Sequence, residues 1–143
     1  MDRDRVTVPE GTASGPGRLL VAVYGIFALA ASARAGVQIA LRFDEAPVAY
    51  LLSAFAAAVY ILATVALARP GALSRTLAWA ACGVELAGVV VVGAVSLALP
   101  AAFPEPTVWS AFGQGYGFVP LVLPVLGLLW LRRTAGHAPA VRV

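Results

Sequence analysis

Four uninterrupted apolar runs, at about 19–41, 48–68, 77–99 and 110–131, restrict what this chain can fold into more than any other feature. A helix needs about 20 apolar residues to cross ~30 Å of hydrocarbon, and each run meets that length. The runs are continuously apolar rather than alternating, which excludes the strands of a membrane barrel. A helix satisfies its backbone within its own segment, as the bilayer interior demands. Composition agrees: charged residues make up 12% of the 143-residue chain, against about 25% in soluble domains. The expected fold is therefore all-α, a four-helix transmembrane bundle in one domain over residues 19–133. The connecting loops are short, so neighbouring helices should run antiparallel. Residues 1–18, which include Pro9, Gly11, Gly15, Pro16 and Gly17, are expected to form a flexible tail, and 134–143 another. The third loop, PAAFPEPT, carries three prolines; it cannot be helical throughout and should cap one end of the bundle.

The arginines set the orientation. Lysine is absent and all ten basic residues are Arg. Arg3, Arg5, Arg18, Arg69, Arg75, Arg132, Arg133 and Arg142 fall on one side of the four spans, and Arg42 alone falls on the other. The positive-inside rule then puts both termini in the cytoplasm of a multi-pass cell-membrane protein. A net charge of +3 follows from that topology, and a nucleic-acid partner is not expected. A rival reading takes Arg18, LLVAVYGIFALA and the small residues Ala31-Ser32-Ala33 as a signal peptide cleaved after Ala33. The apolar run continues through Gly36–Leu41, which favours an uncleaved first span. One cysteine, Cys82, and one histidine, His137 in the tail, exclude an intrachain disulfide and leave no metal-ligand set, so no metal or other cofactor is expected.

Two ionisable residues lie inside the spans, Arg34 and Glu85. Each costs roughly 2.5–3.5 kcal/mol on insertion scales, so each requires an explanation. At 1.5 Å per residue, Arg34 lies ~22 Å and Glu85 ~12 Å from the cytoplasmic boundary. Ser53 and Tyr116 fall near the level of Arg34, Gln38 and Gln114 slightly above it, and Tyr60 near Glu85. Ser53, Ala57, Tyr60 and Thr64 form one stripe at helical spacing; Glu85, Gly88, Val92 and Ser96 form another. The bland reading pairs Arg34 with Glu85 as helix glue. The functional one turns Arg34, Gln38, Ser53, Tyr60, Glu85, Gln114 and Tyr116 toward a polar interior that binds or conducts a small solute or ion.

The tripeptide Gly115-Tyr116-Gly117 is shared with potassium-channel filters, which need an extended strand followed by a complete membrane helix. Only 14 residues separate Gly117 from Arg132, enough for ~21 Å of helix. The Thr-Val pair is also missing, and Gln114 stands before Gly115. The filter reading fails. A helix containing the motif would use Gly113 and Gly117 as a GxxxG packing face, with a kink or break near Pro120 and Pro124, each of which removes a backbone donor.

The segments FDEAPVAYLLSAFAA at 43–57 and FGQGYGFVPLVLPVLGLLWLRR at 112–133 resemble small four-helix integral membrane proteins of high-GC actinobacteria. The resemblance covers most of the four spans. It implies four helices and membrane residence, and it brings no catalytic pattern.

Two functions are compatible with these residues. The first is an accessory or structural protein, in contact with the lipid bilayer and packing against itself or a larger membrane partner. It would use small-residue pairs: Ser32/Gly36, Ala54/Ala58, Gly83/Ala87 and Gly113/Gly117. The second is the pocket or pathway built on Arg34 and Glu85. An enzyme is not expected, because no nucleophile–base pair can be assembled.

Overall fold

The computed structural model describes residues 15–135, and all regular structure among them is helical. Four α-helices follow in order: α1 (Gly15–Arg42), α2 (Pro47–Ala68), α3 (Ala72–Ala98) and α4 (Val119–Ala135). The expected tails lie largely outside the described residues. Residues 15–18 and 134–135, expected to be loose, are instead the ends of α1 and α4.

Prolines punctuate the chain at predictable places. Pro47 opens α2, where its missing N–H has no helical partner to lose. Arg69, which precedes Pro70, is extended and closes α2. Gly71, at φ +112°, turns the chain into α3, which starts five residues before the expected 77. Leu99, before Pro100, ends it.

α1 packs along α2, α2 on α3, and α3 on α4, with a smaller contact between α1 and α4. The first three helices are long and apolar enough to cross a membrane. The distribution of residues is inside-out. Leu29, Leu41, Val48, Phe55, Val91 and Leu97 are exposed, while Tyr24, Tyr60, Gln38, Ser53 and Glu85 are buried. Such a surface would aggregate in water and is at home in hydrocarbon. The basic side chains Arg18, Arg69, Arg75, Arg132 and Arg133 gather at one end, where Arg75 donates to the Leu131 carbonyl. Asp44, Glu45 and Glu105 gather at the other end with Arg42.

The fourth apolar run differs from expectation. It is not one helix from 110. Residues Ser110–Tyr116 form 3-10 turns, and α4 leaves them at 99°. The break expected near Pro120 and Pro124 is found just before the first of them, at Gly117 and Phe118, both at positive φ. Pro120 sits in the first turn of α4, where the lost donor costs nothing, and Pro124 lies inside the helix. At 17 residues α4 reaches only ~26 Å.

Candidate functional site

Segment 107–118 builds the site by doubling back along α3. Its start is tied locally: the Thr107 and Trp109 backbone N–H groups donate to Ser110 Oγ and Thr107 Oγ1 at 2.8 and 3.1 Å. The Ala111 N–H then donates to Ser96 Oγ on α3 at 2.8 Å. Two glycines of α3 receive the aromatic side chains. The Trp109 ring lies over Gly88, where a Cβ would come within 2.5 Å of it, and Phe112 lies over Gly93, within 2.4 Å. The cost is backbone strain. Ala111 and Phe112 adopt φ of 51° and 61°, left-handed values that cost about 1–2 kcal/mol per residue. Gly115-Tyr116-Gly117 ends in a left-handed cap at Gly117, so the extended backbone of an ion filter is not formed.

The polar residues form two centres. The deep one surrounds Glu85, the middle residue of the 27 in α3, which has no exposed surface. The Trp109 indole N–H donates to the Tyr60 hydroxyl at 3.2 Å, which leaves the Tyr60 proton free to turn toward Glu85. The Tyr24 hydroxyl shares a 3.4 Å hydrogen bond with Cys82 Sγ. Tyr24 and Tyr60 are close enough to Glu85 to interact electrostatically, yet neither closes a hydrogen bond of ordinary geometry, and both carboxyl oxygens lack a partner among the described residues. α4 seals this centre: a Cβ at Gly127 would meet Cys82 Sγ at 2.7 Å.

The second centre lies nearer the acidic end. Arg34 does not meet Glu85. Its guanidinium donates instead to the Tyr116 hydroxyl and, at 3.4 Å, to the Pro106 carbonyl. It also lies 6.0 Å from the centroid of the Tyr116 ring, within reach of a cation–π attraction. Arg34 borders two cavities. One, of about 490 Å³, also takes in Thr107, Ser110, Gln114 and Tyr116; the other, of about 500 Å³, takes in Gln38, Arg42 and Glu105. The aromatic rings of Tyr60, Phe27 and Tyr116 connect the two centres, with successive centroids 6.0 Å apart.

Of the residues expected at a site, Arg34, Gln114 and Tyr116 come together, and Gln38 lies on the far side of Arg34. Tyr60 and Glu85 share the deep centre. Ser53 is buried in α2 and borders neither cavity. Of the expected packing residues, only Gly113 lies close against another element among the described residues. A Cβ at Gly113 would come within 2.9 Å of the Pro120 ring at the start of α4, and a Cβ at Gly83 or Gly117 would meet nothing within 4 Å. Ala87 is exposed. Trp109, Tyr24, Pro106 and Thr107 were not expected at either centre. Gly88, one turn from Glu85 on the same face, was the signal available for Trp109.

Tyr60 and Tyr50 provide a paired test. Tyr60→Phe leaves the buried Trp109 N–H unpaired and should cost about 1–3 kcal/mol. Tyr50 is equally buried, but its hydroxyl has no partner, so Tyr50→Phe should be neutral or stabilising. Thermal unfolding in detergent would read both, and equal effects would contradict the Trp109–Tyr60 bond. Comparison of the chain with protein-family models, curated proteins and solved structures returns no match.

Proposed function

We propose that the chain is a four-span integral membrane protein, a bundle of antiparallel neighbours with both termini cytoplasmic, which holds a small anionic group against Arg34 at its outer end. It acts by binding rather than by catalysis. The observation that carries this reading is the state of Arg34. Its half-buried guanidinium has only neutral partners, Tyr116 and Pro106, and no carboxylate within ion-pair distance among the described residues. An intramembrane cation without a counter-ion is expensive, and an anionic ligand would supply one. Ser110 and Gln114 border the same cavity and add donors of the kind that orient a carboxylate or phosphate. A pocket is favoured over a continuous pathway, since neither cavity reaches Glu85.

Purified protein in detergent, titrated with inorganic phosphate or acetate, tests the pocket. The unfolding midpoint should rise with anion concentration, as expected for a ligand that binds the folded state. Arg34→Gln should remove that rise, while Ser53→Ala, outside the cavity, should keep it. No rise for either anion in the unmodified protein would rule the pocket out.

The accessory reading retains one supporting observation, the unfilled α3 surface at Gly83 and Ala87. It expects a stoichiometric protein partner after mild extraction, and a monomer that never co-purifies with anything would count against it.

A further inference from the structure

The second cavity at Arg34 is a groove along α1. Ala30, Ala33, Arg34, Val37 and Gln38 border it and recur at the i, i+3, i+4, i+7, i+8 spacing of one helix face. The groove changes character along its length. Ala30, Ala33 and Val37 form an exposed apolar floor. Arg34, Gln38, Arg42 and Glu105 then crowd the end nearer the acidic cap, with Arg34 and Arg42 ~12 Å apart along the helix.

The polar groups here are poorly satisfied by the protein itself. Gln38 is only 4% exposed, and its side-chain oxygen has no hydrogen-bond partner among the described residues. A buried carbonyl left in that state costs about 1–3 kcal/mol. Glu105 is half-buried with no ion pair among the described residues. Arg42 lies 3.7 Å from Glu45, with both side chains about half exposed, a surface pair of little value. The groove therefore offers two cations, one anion and one buried acceptor, beside an apolar floor open to lipid.

We propose that this groove receives a phospholipid whose headgroup carries a phosphodiester and a primary ammonium. The phosphodiester lies between Arg34 and Arg42, where guanidinium forks match its oxygens. The ammonium donates to Gln38 Oε1 and the Glu105 carboxylate, and an acyl chain runs over Ala30, Ala33 and Val37. A trimethylammonium headgroup has no N–H to give Gln38, and a glycerol headgroup has no cation to offset Glu105. Specificity follows from the group left unpaired. The site is separate from the Thr107–Tyr116 cavity but shares Arg34 with it, so it rests in part on Arg34 having no internal counter-ion.

Native mass spectrometry of the full chain, with phosphatidylethanolamine, phosphatidylcholine and phosphatidylglycerol of identical acyl chains, provides the test. The ethanolamine lipid should be retained about tenfold better than either of the others, the ratio that 1.4 kcal/mol confers. Glu105→Gln lies in a loop and should leave the fold intact; it should shift preference toward the glycerol lipid. Gln38→Leu should abolish discrimination between ethanolamine and choline headgroups. Equal retention of all three lipids, or tighter retention of the glycerol lipid by the unmodified chain, would overturn the proposal. If lipid preference fails while phosphate still raises the unfolding midpoint through Arg34, only the lipid assignment is lost. If lipid preference holds without that midpoint effect, the small-anion pocket is the reading that fails.

Discussion

Gly88→Ala should be among the most damaging single substitutions in this protein, although it adds one methyl group. That methyl would lie 2.5 Å from the Trp109 ring, far inside van der Waals contact. Trp109 has no room to yield: it is 1% exposed, packs edge-on against Phe55, and is bonded through its indole N–H to Tyr60. Overpacking a core costs about 1–3 kcal/mol, and losing the Trp109–Tyr60 bond adds about 1–3 kcal/mol. The expected total of roughly 2–6 kcal/mol is a large fraction of the about 5–15 kcal/mol by which domains are stable. Thermal unfolding in detergent would measure it. Trp109→Leu should rescue much of the loss when combined with Gly88→Ala, because it removes the clashing ring. Gly83→Ala is the control: its Cβ meets nothing within 4 Å, and it should be neutral or slightly stabilising. If Gly88→Ala matched Gly83→Ala, the docking of Trp109 on α3 would be wrong.

Glu85→Met should have the opposite sign. Among the described residues both oxygens of this fully buried carboxyl lack a hydrogen bond of ordinary geometry. The Tyr24 hydroxyl is shared with Cys82, and Tyr60, which accepts from Trp109, keeps a proton that only a turn of the hydroxyl would bring to Glu85. Methionine fills similar volume without polar atoms and adapts to irregular gaps. Removing an unsatisfied buried polar group should raise stability by about 1–3 kcal/mol. Arg34 does not offset this, because it is occupied with Tyr116 and Pro106. A higher unfolding midpoint for Glu85→Met would identify Glu85 as a residue kept at a cost to stability, which is the pattern of functional groups. A fall of more than about 1 kcal/mol would instead mean that Tyr24 and Tyr60 hold the carboxyl firmly.

Helix positions were legible where the hydrocarbon length and proline chemistry dominate. The α2 limits, expected at 48–68 and found at Pro47–Ala68, follow from an apolar run closed by Arg69-Pro70. The same logic failed for the fourth run, because hydropathy reports the tendency to leave water and not the backbone path. Residues 110–118 are apolar enough for a helix, yet Ala111, Phe112 and Phe118 are held left-handed. Local propensity disfavours that conformation; the docking of Trp109 and Phe112 on Gly88 and Gly93 offsets it, together with the Ala111–Ser96 and Phe118–Gly113 hydrogen bonds. The Gly113/Gly117 pair shares one face only in an α-helix, and Ser110–Tyr116 instead forms 3-10 turns with left-handed residues inside.

The candidate site divides along the same line. Arg34 and Glu85 were identifiable from sequence because an ionisable residue in an apolar run is costly wherever the run folds. Their difference in depth of ~10 Å was legible as well; whether the long side chains would still meet was not, since helix counting leaves side-chain direction open. The sequence by itself determined long apolar helices with the arginines concentrated at one end, because span length and charge placement are properties of single segments. Only the tertiary structure decided that Arg34 joins Tyr116 while Glu85 joins Tyr24 and Tyr60. That choice depends on which helix face meets which, and on a strained segment held by contacts with α3, both of which arise between segments rather than within them.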